Sequence, residues 1–234
     1  MRDRNAPALV AEAVGTFLFF FVGMGSVVLG TYQAAKCDFI PCSPDPGLLG
    51  VALAHGLALA VLVSALGPVS GAHFNPAVTF AVWIMGKITP SRAAMYLVAQ
   101  LIGAALAGFA LKTVFPTEAW QPSAIGVPAL GVGISPLTGI AIEAVLTALL
   151  VFVVIGTAVD ARGPKIGGLA IGLAVTADIL MGGPLTGAAM NPARWFGPAV
   201  AAGVFTDWYV WWIGPLVGSA VAALVYRSSL AERS

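Results

Sequence analysis

The chain has 234 residues, 59% of them hydrophobic and 9% charged, with a net charge of +1. Soluble domains carry about 25% charged residues, so this composition excludes an ordinary soluble enzyme or binding domain. The near-neutral charge also excludes the basic face that a nucleic-acid partner needs. The chain reads as an integral membrane protein.

The opening stretch MRDRNAPALVAEAVGTF places charge ahead of an apolar run. No small-residue cleavage site follows a short hydrophobic core, so a first transmembrane helix is expected here, not a removed signal peptide. A helix needs roughly 20 apolar residues to cross a bilayer. Six segments meet that length, at about 8–30, 47–66, 92–113, 136–158, 166–182 and 207–227. After the first span, the loop KCDFIPCSPDPG holds both cysteines, Cys37 and Cys42. A metal site takes three or four ligands, so a free pair or a local disulfide is expected, with no metal and no cofactor. Two further segments, 75–86 and 191–202, are apolar but too short to span, and each follows a Gly/Pro-rich turn. They read as half-helices that enter the membrane and return.

The basic residues predict an orientation. With the N-terminus cytoplasmic, that side holds Arg2, Arg4, Lys87, Arg92, Arg162, Lys165, Arg227 and Arg233, and the other holds Lys36 and Lys112. This obeys the positive-inside rule and predicts cytoplasmic termini, with the cell (inner) membrane as the expected location. Arg194 fits no ordinary loop.

The chain also repeats itself. EAVGTFLFFFVGMGS (12–26) aligns with EAVLTALLVFVVIGT (143–157), and GPVSGAHFNPAV (67–78) aligns with GPLTGAAMNPAR (183–194). Each half is three spans and one half-helix, with repeat one about 8–113 and repeat two about 136–227. Three is odd, so the second half is inserted upside down. Residues 1–234 are expected to form one domain, an all-α membrane protein of six transmembrane helices plus two re-entrant half-helices in an inverted 3+3 repeat. Such repeats place their site near the bilayer midplane, where the broken segments meet.

Asparagine is a strong N-cap and proline is favoured at the first helical position. Asn75, Pro76 and Ala77, and Asn191, Pro192 and Ala193, are therefore two helix starts. In each, the asparagine oxygen caps the backbone and the NH2 remains as a donor. The preceding loops, with Gly71, Ala72 and His73 in one and Gly187, Ala188 and Ala189 in the other, are non-helical backbone that must line a wet cavity or be buried in protein. Two helix N-termini meeting midway add positive partial charge. The predicted object is a narrow aqueous path with acceptors along it, two amide donors at its centre and a field that repels cations.

These features resemble the aquaporin (major intrinsic protein) family across nearly the whole chain. The six spans, both half-helices, the two Asn-Pro-Ala boxes, and Glu12 and Glu143 in the first and fourth spans carry the resemblance. It implies a passive channel with one pore per subunit in a homotetramer. It also implies a second constriction, whose four positions carry over as His55, Ile179, Ala188 and Arg194. Strict water channels place an aromatic at the His55 position and a histidine at the Ile179 position, whereas His-Ile-Ala-Arg is similar to plant tonoplast intrinsic proteins and their ammonia-permeable relatives. Trp195 and the Trp211-Trp212 pair depart from the glycerol facilitators.

Glu12 and Glu143 are expected to brace the loop of their own half, and His73 to brace its loop. A buried carboxylate in a membrane is costly; Asp178 has no role that the sequence identifies. The reading is a water channel that also passes ammonia or other small neutral solutes and excludes protons and ions. The alternative within the class is a facilitator for ammonia, urea, glycerol or a metalloid acid. From another class, an ion-coupled secondary transporter also uses inverted repeats and broken helices, but it would place an acidic or unwound ion site where this chain has Asn75 and Asn191. An enzyme is not expected: Ser70 and Thr186 lack an activating base with an acidic orienter.

Overall fold

The computed structural model describes residues 5–36 and 47–230. Cys37, Cys42, Arg2, Arg4 and Arg233, and the expectations attached to them, lie outside the described residues. Among the described residues, six helices are long and apolar enough to span a bilayer. They are α1 (Asn5–Lys36), α2 (Gly47–Ser70), α4 (Pro90–Val114), α6 (Pro136–Val154), α7 (Gly167–Thr186) and α9 (Val210–Val225). The half-helices are α3 (Pro76–Ile84) and α8 (Pro192–Ala202), and a single turn, α5 (Thr117–Trp120), follows α4.

Four of these helices start by one device. Asn75, Thr89, Ser135 and Asn191 each stand in extended backbone before a proline at the first turn, and each side chain accepts a backbone N–H of that turn. The cap supplies an acceptor that the helix start lacks, and proline loses nothing there because its missing N–H would have had no partner. At the other end, α7 and α8 stop at left-handed Gly187 (φ 78°) and Gly203 (φ 74°), the usual glycine stop.

Packing follows the repeat. α1 lies on α4 as α6 lies on α9, while α2 and α7, the repeat-related pair, lie on each other. The half-helices cross over: α8 packs mainly on α4 and α3 mainly on α9, so each half's third span carries the other half's short helix. Glycine sets the close approaches. A methyl group at Gly103 would sit 2.3 Å from the Ala13 carbonyl oxygen, and its repeat counterpart Gly218 has the same relation to Ala144 at 2.0 Å. Gly56 and Gly172 face each other reciprocally, with such a methyl 2.5 Å and 2.3 Å from the opposing carbonyl. Small residues let helix backbones touch where lipid provides no hydrophobic drive.

The structure extends the sequence-based boundaries in two places. α2 and α7 run on through Pro68 and Pro184 to Ser70 and Thr186, bringing those hydroxyls to the loop entrances. Residues 117–126, unassigned from sequence, fold as α5 and a tight turn at Ala124–Gly126 with Ile125 and Gly126 buried. Single-turn pieces leave no periodic signal to read. α6 and α9 each end in a π-helical turn, at Ile155–Val159 and Tyr226–Leu230. The two turns are joined by the Tyr226 hydroxyl donating to the Asp160 carboxylate at 2.9 Å.

Candidate functional site

Both membrane loops are held by a fully buried glutamate. Glu12 accepts four donors: the Ser70 hydroxyl (2.6 Å), the His73 and Phe74 N–H groups (2.9 and 2.8 Å), and the Gln100 amide (2.8 Å). Glu143 accepts three: the Thr186 hydroxyl (2.7 Å) and the Ala189 and Met190 N–H groups (2.9 and 2.7 Å). Ser70, His73 and Phe74 are the repeat counterparts of Thr186, Ala189 and Met190. One carboxylate thus accepts from equivalent positions of the loop in each half. Tyr96 and Trp211 add a matched second brace. The Tyr96 hydroxyl donates to the Ser70 carbonyl at 2.7 Å and the Trp211 indole to the Thr186 carbonyl at 3.0 Å.

The braces hold strained backbone. Ala72 and Phe74 (φ 49° and 48°) and their counterparts Ala188 and Met190 (φ 43° and 51°) are left-handed, beside Gly71 and Gly187. Each non-glycine residue in that region costs about 1–3 kcal/mol and persists only where the surroundings impose it. His73 Nδ1 lies 3.0 Å from the Thr79 hydroxyl and the His73 ring meets Tyr96 edge-on.

At the centre, Asn75 Oδ1 caps Ala77 N–H (2.8 Å) and Asn191 Oδ1 caps Ala193 N–H (2.9 Å). Their amides do more than the sequence indicated. Asn75 Nδ2 donates to the Met190 carbonyl at 2.9 Å, and Asn191 Nδ2 donates to the Phe74 carbonyl at 3.0 Å. Each asparagine commits one N–H to the opposite loop and retains one.

Two of the residues expected at the constriction, His55 and Arg194, are bonded to each other. Arg194, buried, donates from Nε to His55 Nε2 at 3.2 Å and from Nη1 to the Gly126 carbonyl at 2.8 Å. His55 Nδ1 donates to the Val51 carbonyl at 2.9 Å, so the ring keeps its proton on Nδ1 and offers Nε2 to the arginine. Both ring nitrogens are occupied. His55 therefore orients Arg194, and its ring stands perpendicular to that of Phe19, with centroids 6.1 Å apart. Gly23 leaves the room this ring needs, since a methyl there would lie 2.5 Å from it.

A cavity of about 120 Å³ runs along these groups. It touches His55, Ile179, Ala188 and Arg194 at one end, Asn75 and Asn191 in the middle, and Val63, Val82 and Val159 at the other. Gly71, Ala72, His73 and Ala189 line it too. Gly187 instead lines a wider vestibule of about 420 Å³, which meets the cavity at His55, Ile179 and Arg194. Pro76, Ala77, Pro192 and Ala193 are buried behind the asparagines and shape the turn. Asp178 is buried with no partner for either oxygen among the described residues, and nothing in the structure explains it.

Sequence reading missed the Gly126 carbonyl, Phe19, and the Tyr96, Trp211 and Gln100 braces. Phe19 was open to detection, because it lies two turns after Glu12 on the face that its counterpart Leu150 shares after Glu143. A carbonyl has no side-chain signature, so Gly126 was not.

A sequence model of the Major intrinsic protein family matches residues 2–226. The chain is similar to Aquaporin TIP4-4 of Zea mays, 47% identical over 222 residues that cover 94% of this chain and 84% of that protein. It is similar to Probable aquaporin TIP3-2 of Arabidopsis thaliana, at 46% over 224 residues covering 94% and 82%. Its fold matches the crystal structure of the aquaglyceroporin from Plasmodium falciparum with a TM-score of 0.83 over 97% of both chains, at 23% identity.

Proposed function

The chain belongs to the major intrinsic protein family, and on that premise we propose that it is a passive water channel that also admits ammonia and excludes ions and protons. The observation that carries this reading is the cavity passing both asparagines and meeting the vestibule at the pinned Arg194. A solute arriving there faces a fixed cation on one wall, the apolar Ile179 on another, and the small Ala188. A fixed guanidinium repels cations and hydrogen-bonds small neutral acceptors. At the midplane, the two asparagine amides and two half-helix N-termini oppose a proton in the same way. The His55 nitrogens are occupied by Val51 and Arg194, so the ring takes no hydrogen bond from the solute. That favours ammonia, which needs few partners, over polyols. The relatives named aquaporins support water as the main permeant.

The orientation with cytoplasmic termini rests on the Lys/Arg distribution, and a homotetramer rests on family membership. The four-residue constriction and the two-repeat division are parts of the same proposal. Proteoliposomes test it directly: osmotic shrinkage several-fold faster than in empty vesicles, lumenal alkalinisation under an ammonia gradient, and no proton conductance. Shrinkage equal to that of empty vesicles overturns the channel, and absent alkalinisation overturns ammonia alone.

A further inference from the structure

A second chamber opens beside the mouth opposite Arg194, the one that the charge bias assigns to the cytoplasm. It has a volume of about 340 Å³ and shares Gly71, His73 and Val82 with the channel cavity. Lys87, Arg92 and Thr89 complete its wall. Lys87 is exposed and Arg92 half-buried, and neither has an acidic partner among the described residues, where the one ion pair is Arg162–Asp160. Arg92 Nη2 donates to the Tyr96 hydroxyl at 3.2 Å, which aims the guanidinium along the chamber wall and leaves most of its N–H groups unused. Glu12 is buried among the Ser70, His73, Phe74 and Gln100 donors and forms no ion pair with either cation. The 25-residue α4 starts here, its first turn capped by Thr89 and led by Pro90, and adds positive partial charge. Two cations without an ion-pair partner among the described residues, and a helix N-terminus, around one concave space make a receptor for a compact oxyanion.

We propose that this chamber binds a phosphate group, from free phosphate or a phospholipid headgroup, and that the bound anion sits against the cytoplasmic mouth of the channel. The inference uses the pore mouth but not the identity of the permeant, and its binding assay is read without any flux.

Purified protein in phosphatidylcholine nanodiscs is titrated with inorganic phosphate by calorimetry. In a parallel arm, nanodiscs containing phosphatidic acid are analysed by native mass spectrometry for retained lipid. One saturable site per chain is expected in at least one arm. Binding in the first arm alone identifies the free anion as the source; binding in the second alone identifies the headgroup. The double variant Lys87→Gln, Arg92→Gln should weaken binding about tenfold or more, and Lys87→Arg, Arg92→Lys should keep it within about threefold. Proteoliposomes holding the saturating anion should shrink at about half the anion-free rate, with no such slowing in the double glutamine variant. Absent saturable binding in both arms, or equal binding by that variant, overturns the proposal and leaves the two cations as orientation signals only. Binding without any change in shrinkage overturns the placement at the mouth.

Discussion

Phe19, His55, Leu59, Val63 and Val78 have repeat counterparts in Leu150, Ile171, Val175, Ile179 and Arg194, and all ten line the channel cavity. Because the halves are inverted, four of the five pairs, all but Leu59 with Val175, contribute one residue to each mouth. In the proposed orientation the outer mouth receives Phe19, His55, Ile179 and Arg194, and the inner receives Leu150, Ile171, Val63 and Val78. The two ends share a scaffold and differ in chemistry. One carries a pinned cation and its histidine; the other is aliphatic at the same positions. The loops behind them differ far less, since Glu12 and Glu143 hold equivalent atoms and Tyr96 and Trp211 brace equivalent carbonyls. Duplication has kept what shapes the path and released what stands at its ends. The two jobs should therefore come apart under mutation.

The largest effect is expected where the halves agree. Glu12→Ala and Glu143→Ala each strand buried donors and should cost about 3–5 kcal/mol, seen as a fall in the thermal midpoint in detergent and loss of osmotic flux. Glu12→Ala should fall further, because Gln100 gives that carboxylate a fourth donor with no counterpart at Glu143. Equal midpoints for wild type and either variant would break the claim of a shared scaffold. Next, Arg194→Val gives the outer mouth the residue of the inner one. Urea permeability should rise about tenfold and proton leakage should appear, measured by vesicle shrinkage and a lumenal pH dye, while folding is retained. Unchanged selectivity would show that the asymmetry does not filter. A smaller change is expected from His55→Phe with Ile179→His: ammonia flux falls several-fold and water flux is kept, as read in the same vesicles.

The smallest effect belongs to the inner end. Asp160 accepts from Arg162 and Tyr226, and hydrogen bonding from Arg162 first of all holds its carboxyl well below the usual carboxylate range. A depressed folded value contributes stability above the unfolded value, about pH 4, and loses it only as pH falls towards the folded one. Asp160→Asn should therefore lower the thermal midpoint by the same small amount at pH 6 and pH 8, and a difference that grows across this interval would contradict the assignment.

Most of the fold was legible because its signals are local or repeated. Apolar run length marks the spans, Asn-Pro marks the half-helix starts, and the doubled segments reveal the inversion. The braces at Glu12 and Glu143 followed from the same doubling. Other features left no mark. Exposed Val61 and cavity-lining Val63 are the same residue two positions apart in an apolar helix, so periodicity cannot separate them. The clamp on Arg194 uses the Gly126 carbonyl, from a tight turn without periodic pattern. The bonds between the asparagine amides and the opposite loops left no mark either, because their partners, the Met190 and Phe74 carbonyls, lie more than a hundred residues away in sequence.

Those two reciprocal amide bonds have a kinetic consequence. A carrier works by letting its halves rock past each other around a fixed site, whereas here each half is tied at its midpoint to the loop of the other. The tie predicts conduction without a conformational cycle, so that none sets a ceiling on throughput. Shrinkage rate should then rise in proportion to the osmotic gradient without saturating, and should depend on temperature only as weakly as the movement of water itself.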